Sequence, residues 1–96
     1  MEMTPKRKYA IELLGRYQEY KTAKELVDAH EKELQEKGFN TRNVENKLIT
    51  NSLNATINSL YDKEDIKNSY ILKDTSGKLT RYKLSQKGQD FLKENN

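Results

Sequence analysis

Cysteine is absent from this chain, which excludes a disulfide framework, a thiolate metal site and a cysteine nucleophile. Tryptophan is absent as well, phenylalanine occurs twice and proline once. No apolar run exceeds three residues, so nothing reads as a membrane span or as the core of a signal peptide. A cytoplasmic protein with no membrane partner is expected. His30 is the only histidine, with no second His or Cys to complete a metal site. Glu31, Glu33 and Glu36 read as the wet face of a helix rather than as paired acid and base. Neither an enzyme nor a bound cofactor or metal is expected. The most informative absence is local: 34% of all residues are charged, yet residues 48–60 carry no charge at all.

What remains is enough for a single domain over residues 1–96 with a modest core, because two separate cores would leave each part near the lower size limit for independent folding. Six tyrosines make up for the scarcity of other aromatics, each adding a large apolar ring with a polar tip. The net charge is only +3, but positive charge gathers toward the two ends of the chain and the acidic surplus falls in between. A basic side of this kind is compatible with a duplex partner.

Local signals divide the chain. Thr4-Pro5 marks a helix start, Thr as cap and Pro in the first turn, and this helix is expected to run to about Tyr20 with Tyr9, Leu13, Leu14 and Tyr17 on one face. Gly15, costly inside a helix, suggests close packing against a neighbour. Thr22-Ala23-Lys24-Glu25 fits a capping box, so a second helix starts almost at once. Ala23, Leu26, Val27, His30 and Leu34 form its inward stripe, Gly38 stops it, and Phe39 can fold back onto Leu34. Asn40 or Thr41 can cap the next helix. There, at about 100° per residue, Val44, Leu48 and Ala55 point one way while Ile49, Leu53, Ile57 and Leu60 centre about 150° away. The mismatch predicts a break near Ile49–Thr50, giving a short helix over 41–48 and a second over about 51–61. A single long helix wedged between two surfaces is the alternative.

After a charged connector at residues 62–65, Ile66 is expected to close back onto the core. Residues 70–73 and 79–84 then read as strands of a hairpin around Gly77. Alternation puts Tyr82 and Leu84 on one face of the second strand and Arg81 and Lys83 on the other. Ser85 caps a final helix containing Phe91 and Leu92. The fold class is therefore mainly α with a small β-hairpin (α+β).

The order helix, helix, helix, hairpin, helix is the layout of a winged helix-turn-helix domain, and Tyr82-Lys83-Leu84-Ser85-Gln86-Lys87-Gly88-Gln89-Asp90-Phe91-Leu92 resembles the passage that closes the wing in MarR-like and PadR-like bacterial or phage regulators. Ser85 stands where Thr is usual, keeping the capping hydroxyl. Two features depart from that pattern: residues 38–50 exceed the usual short turn before a recognition helix, and the long terminal helices that dimerise MarR-like proteins are missing. The resemblance implies three to four helices, a two- to three-stranded wing over about 70–84 and a C-terminal helix. It also implies sequence-specific binding of double-stranded DNA in transcription regulation, with a recognition helix over about 51–61 in the major groove.

The residue types assign roles on their own account. An Asn side chain offers adenine an acceptor and a donor together, so Asn51, Asn54 and Asn58 are candidates for base or phosphate bonds, with Ser52 and Thr50 for phosphate or capping. Lys78 at the hairpin tip, Arg81 and Lys83 on the strand, and Lys47 and Arg42 before the neutral helix would neutralise phosphates. One short helix and one wing give little affinity alone, so a homodimer is expected. The rival reading is a winged-helix protein-interaction module, an anti-repressor or assembly adaptor, since interface cores are also depleted of charge.

Overall fold

The computed structural model describes residues 2–38 and 44–94, with residues 44–51 described by their backbone alone. Among these residues the chain is mainly helical with a small antiparallel sheet, an α+β structure. In chain order the elements are α1 (Pro5–Leu14), β1 (Lys21–Thr22), α2 (Ala23–Glu36), α3 (Val44–Ser59), β2 (Ile71–Asp74), β3 (Arg81–Leu84) and α4 (Gln86–Glu94). A single 3-10 turn, Ile66–Asn68, lies between α3 and β2.

Helix α1 begins as its sequence dictates: Thr4 is extended, its hydroxyl accepts from the Arg7 amide at 3.2 Å, and Pro5 occupies the first turn. It ends at Leu14, well short of the expected Tyr20. The Gly15 amide bonds the Ile11 carbonyl, and the Arg16 and Tyr17 amides then take the tighter turn bonds to Leu13 and Leu14. The cause lies far along the chain. Lys21 and Thr22 pair with Tyr82 and Arg81 as an added strand, so the backbone must leave the helical path to reach the sheet. Gly15 does sit at a close approach: a Cβ there would lie 2.3 Å from Leu92 Cδ1 of α4.

The capping box of α2 is formed in full, with the Thr22 hydroxyl accepting from the Glu25 amide and the Glu25 carboxylate from the Thr22 amide. Leu26 and His30 are buried beneath it, while Ala23, Val27 and Leu34 are partly buried. Gly38 follows in the left-handed region at φ 84°, where a residue without Cβ is at ease.

Helix α3 corrects the expected break. It runs unbroken through Ile49 and Thr50, so the recognition segment expected at 51–61 is the second half of a longer helix, Val44–Ser59. Leu53, Ile57 and Leu60 are buried as expected, but Ala55, counted in the opposing stripe, is exposed. An exposed methyl needs no second apolar surface, and without Ala55 the described half of the helix has one buried face only. The expected caps at Asn40 or Thr41, and the position of Phe39, lie outside the described residues.

One core joins these elements: Ala10, Ile11, Leu13 and Leu14 from α1, Leu26 from α2, Leu53 and Ile57 from α3, Leu60 just after it, and Ile71, Tyr82 and Leu84 from the sheet. Each fully buried Leu or Ile stabilises the fold by about 1.5–3 kcal/mol relative to exposure. Helices α1 and α2 both pack against α3, and α1 and α4 pack against β3. Ile66 does not join them. It is 52% exposed, because the 3-10 turn holds that part of the connector outward.

The sheet has the order β1-β3-β2, and β2 pairs with β3 from Ile71 opposite Leu84 to Asp74 opposite Arg81. Tyr70 and residues 79–80 flank the strands rather than belong to them, leaving Leu79 64% exposed at the hairpin tip. Ser85 caps α4, its hydroxyl accepting from the Gly88 amide at 3.2 Å and donating to the Ser69 carbonyl. Gly88 must be glycine-sized, since a Cβ would meet the Tyr70 carbonyl oxygen at 2.3 Å.

Candidate functional site

The neutral stretch supplies a polar face on the second half of α3. Asn54 and Ala55 are exposed, and Ser52, Thr56, Asn58 and Ser59 are half-buried beside the apolar seam. Several of these groups already bond within the helix: Thr56 Oγ1 donates to the Ser52 carbonyl at 2.9 Å and Ser59 Oγ to the Thr56 carbonyl at 2.6 Å. Asn58 is the most committed. Its Nδ2 reaches the Asn54 carbonyl at 2.9 Å and Asn54 Oδ1 at 3.1 Å, and its Oδ1 accepts from Tyr82 Oη of β3 at 3.0 Å. With both ends of its amide engaged, Asn58 ties α3 to the hairpin, whereas Asn54 is exposed and only its side-chain oxygen is seen bonded, by Asn58 Nδ2.

The hairpin is fixed to the end of α3 by backbone as well. The Tyr70 amide donates to the Leu60 carbonyl at 3.1 Å, and the Asp62 amide donates to Ser69 Oγ at 2.7 Å. Ser69 is fully buried and accepts from Ser85 through its own carbonyl, so one serine joins the connector, the hairpin and α4. No pattern in the sequence marks it, because its partners are backbone groups distant along the chain.

Cations flank the neutral face on two sides. Arg7 of α1 donates through Nε to Ser59 Oγ at 3.2 Å, and Lys6 and Arg7 border a shallow cleft with Ser52, Ala55 and Thr56. On the other side Lys73 of β2 lies with its Nζ 4.6 Å from the centre of the Tyr61 ring and 5.9 Å from that of Tyr82. Lys73 is not among the contacts proposed from the sequence, whereas Arg7 belongs to the basic first turn Lys6-Arg7-Lys8, which reads in the sequence either as an arm reaching DNA or as a solvated turn. The strand register carries the signal for Lys73, since pairing it with Tyr82 puts both on the face toward α3. Asp62 and Glu64 share the cleft beside Lys73 and Ser59, so the basic character falls away toward the connector.

The expected hairpin cations are placed differently from one another. Lys78 is exposed at the tip. Arg81 is exposed opposite Asp74, whose carboxyl is held below its usual range by the Ser76 hydroxyl and amide, with a smaller contribution from Arg81. Lys83 projects from the face opposite Tyr82, its Nζ 5.8 Å from the centre of the Tyr20 ring, and so stands away from α3. Arg42 lies outside the described residues; Lys47, Thr50 and Asn51 lie on α3, and their side chains are outside the described residues too.

A second cluster lies between α1 and α2. Glu33 accepts from Arg16 at 2.6 Å and from Lys37 at 3.1 Å, and these cations lower its pKa to about 2, the Arg16 hydrogen bond being the largest cause. Tyr9 Oη lies 3.2 Å from Glu33 Oε2 and 2.6 Å from His30 Nδ1. Burial first, and the Glu33 charge second, push the Tyr9 phenol up to about 12, while burial lowers the His30 pKa. Among the described residues, no group of three or more His, Cys, Asp or Glu side chains could hold a metal ion, and no helix is long and apolar enough to cross a membrane.

By fold, then, the chain is a small, mainly helical α+β protein in which a neutral helix face is bolted to a β-hairpin and bordered by cations. Comparison with protein-family models, with curated proteins and with solved structures yields no match.

Proposed function

We propose that the chain is a winged helix-turn-helix domain that binds double-stranded DNA as a sequence-specific transcriptional regulator, acting as a homodimer. The order α1-β1-α2-α3-β2-β3 with a β1-β3-β2 sheet supports the topology, with β2–β3 as the wing. The observation that carries the function is the neutral amide and hydroxyl face of α3 lying between Lys6 and Arg7 on one side and Lys73 on the other. Uncharged donors and acceptors can approach base edges while the flanking cations meet phosphates. In this reading Asn54 and Ser52 face the groove, Asn58 holds the wing in register, and Lys78 and Arg81 reach the backbone from the wing.

The test is a chemical-shift titration with an A·T-rich duplex at low salt. Amides of residues 52–58 and 73–81 are expected to shift, and the affinity is expected to fall steeply as salt rises, because phosphate-bound lysines and arginines release counterions. Unmoved amides at low salt would overturn the reading. The acidic Asp62 and Glu64 beside Lys73 favour a second reading, a protein-interaction module docking through the same neutral face. A protein partner lost on Asn54→Arg, together with no duplex affinity, would select it.

A further inference from the structure

On α3 the direction of two side-chain amides is settled by a group that can only accept. Asn58 Nδ2 lies 2.9 Å from the backbone carbonyl oxygen of Asn54, so the nitrogen end of the Asn58 amide must occupy that side. Its Oδ1 is thereby turned to Tyr82 Oη, which donates to it at 3.0 Å from a ring only 5% exposed in β3. The second neighbour of Asn58 Nδ2, at 3.1 Å, is Asn54 Oδ1. It must be the oxygen end of Asn54, because two amide nitrogens face to face would set proton against proton. Three side chains thus form a directed chain, in which the Tyr82 hydroxyl donates to Asn58 and Asn58 donates to Asn54.

What remains at the end of the chain is defined. Asn54 is exposed, its Oδ1 keeps a second lone pair, and its Nδ2 keeps its protons, with no partner among the described residues. Ala55 beside it adds only an exposed methyl. The hydroxyls of Thr56 and Ser59 are spent on carbonyls of the same helix. An acceptor and a donor side by side complement N6 and N7 of adenine, whereas guanine presents O6, a second acceptor, where adenine has its donor. An unrestrained Asn amide can turn over and offer its protons to N7 and O6 of guanine. The Asn54 amide can do so only by giving up the bond from Asn58.

We propose that Asn58, anchored by Tyr82, is a positioning residue that selects adenine over guanine at the base pair read by Asn54, by holding the Asn54 amide against reversal. The proposal rests on the reading of α3 as a base-contacting helix. It adds to that reading a specificity determinant that acts without touching the base, and it traces the choice of base to a hydroxyl on a core tyrosine of the hairpin.

The test takes a duplex selected from a randomised pool by the intact chain and replaces each A·T pair in turn by G·C, with fluorescence anisotropy as the readout. The adenine read by Asn54 is the one whose replacement weakens the unmodified chain roughly 5- to 150-fold and leaves Asn54→Ala indifferent. At that pair Asn58→Ala is expected to cut the ratio of adenine to guanine affinity about fivefold, the worth of one hydrogen bond. Because the readout is a ratio, a loss common to all duplexes cancels. In the Asn54→Ala background the same substitution should leave the ratio where it is, a coupling that a purely structural role does not produce. Side-chain amide NMR of the chain without DNA gives a second measurement: the Nδ2 protons of Asn58 should exchange with water more slowly than those of Asn54, and Tyr82→Phe should shift the Asn58 signals. A ratio unchanged in Asn58→Ala, or an Asn58 amide exchanging as fast as that of Asn54, would overturn the proposal and leave the DNA-binding reading standing. No affinity for any duplex at low salt would overturn both.

Discussion

Helices α2 and α3 bury similar apolar stripes but treat their outer surfaces in opposite ways. Two of the charges on α2 are engaged within the protein: Glu33 holds Arg16 and Lys37, and Glu25 closes the cap and meets Lys21. Described side chains on the outer face of α3 carry no charge, and its amides and hydroxyls bond mainly along the helix itself. The difference separates two tasks. The Arg16–Glu33 pair ties α2 to the chain just after α1, whereas the surface of the second half of α3, residues 52–59, is left without charge beside cations supplied by other elements.

If that contrast is confined to the outside, the two helices should respond alike within. Ile57→Ala and Leu26→Ala each remove a fully buried branched side chain, and each is expected to cost about 2–5 kcal/mol in denaturant unfolding. A loss below about 1 kcal/mol for Ile57 alone would mean that α3 is a loosely attached element, and the contrast would then be one of packing rather than of surface chemistry.

The outer surface of α2 should show the next effect. Glu33→Gln keeps the shape and removes the charge, with an expected loss of about 1–2 kcal/mol at neutral pH. Because the folded pKa of Glu33, about 2, lies below its ordinary 4.5, its stabilisation is complete above pH 4.5 and is lost as pH falls toward 2. His30 acts in a higher window. Burial lowers its pKa from 6.5, so the unfolded chain takes up the proton first and stability begins to fall below about pH 6.5. A pH series of unfolding midpoints should therefore keep its upper slope in Glu33→Gln and lose much of the lower one. An unchanged lower slope would show that the Arg16–Glu33 pair is only a surface contact.

Much of this architecture is legible residue by residue. Thr4-Pro5, the Thr22–Glu25 box and Gly38 act through bonds and dihedral angles within a few residues, so their effects can be read locally. The Leu53, Ile57 and Leu60 seam follows from helical spacing. What escapes is non-local. The end of α1 is set by the pairing of Lys21 and Thr22 with β3, and two residues cannot display a strand's alternation. The expected break in α3 fails at Ala55, a small residue that tolerates water. At the candidate site the neutral face, Lys78 and the basic turn Lys6-Arg7-Lys8 are visible in the sequence, but Lys73 gains its relevance, and Arg7 its place beside Ser59, only when α1 and β2 are laid beside α3.

A smaller effect probes the bolt between α3 and the hairpin. Tyr82→Phe removes the hydroxyl that Asn58 accepts at 3.0 Å and leaves the buried ring in place. The expected cost is about 0.5–1.5 kcal/mol of stability, together with faster hydrogen exchange in β2 and β3. Loss of stability without any change in hairpin exchange would place the role of the bond inside the core rather than between the two elements.

The smallest effect on stability should come from Asn54→Ala, and this is where the contrast is sharpest. Asn54 is exposed, and its backbone carbonyl, which accepts from Asn58 at 2.9 Å, survives the substitution. Only the 3.1 Å contact between the two side-chain amides is lost, and the better helix propensity of Ala offsets it. Stability should therefore change by no more than about 0.5 kcal/mol. Binding should not be so indifferent. A bidentate Asn–adenine pair discriminates against other bases by about 1–3 kcal/mol, so the variant should lose roughly 5- to 150-fold in preference for a duplex selected from a randomised pool, while its salt-dependent affinity for unrelated duplex stays the same. Fluorescence anisotropy with selected and scrambled duplexes measures both quantities. An unchanged preference in a stably folded variant would remove Asn54 as a base reader and leave the neutral face to a protein partner.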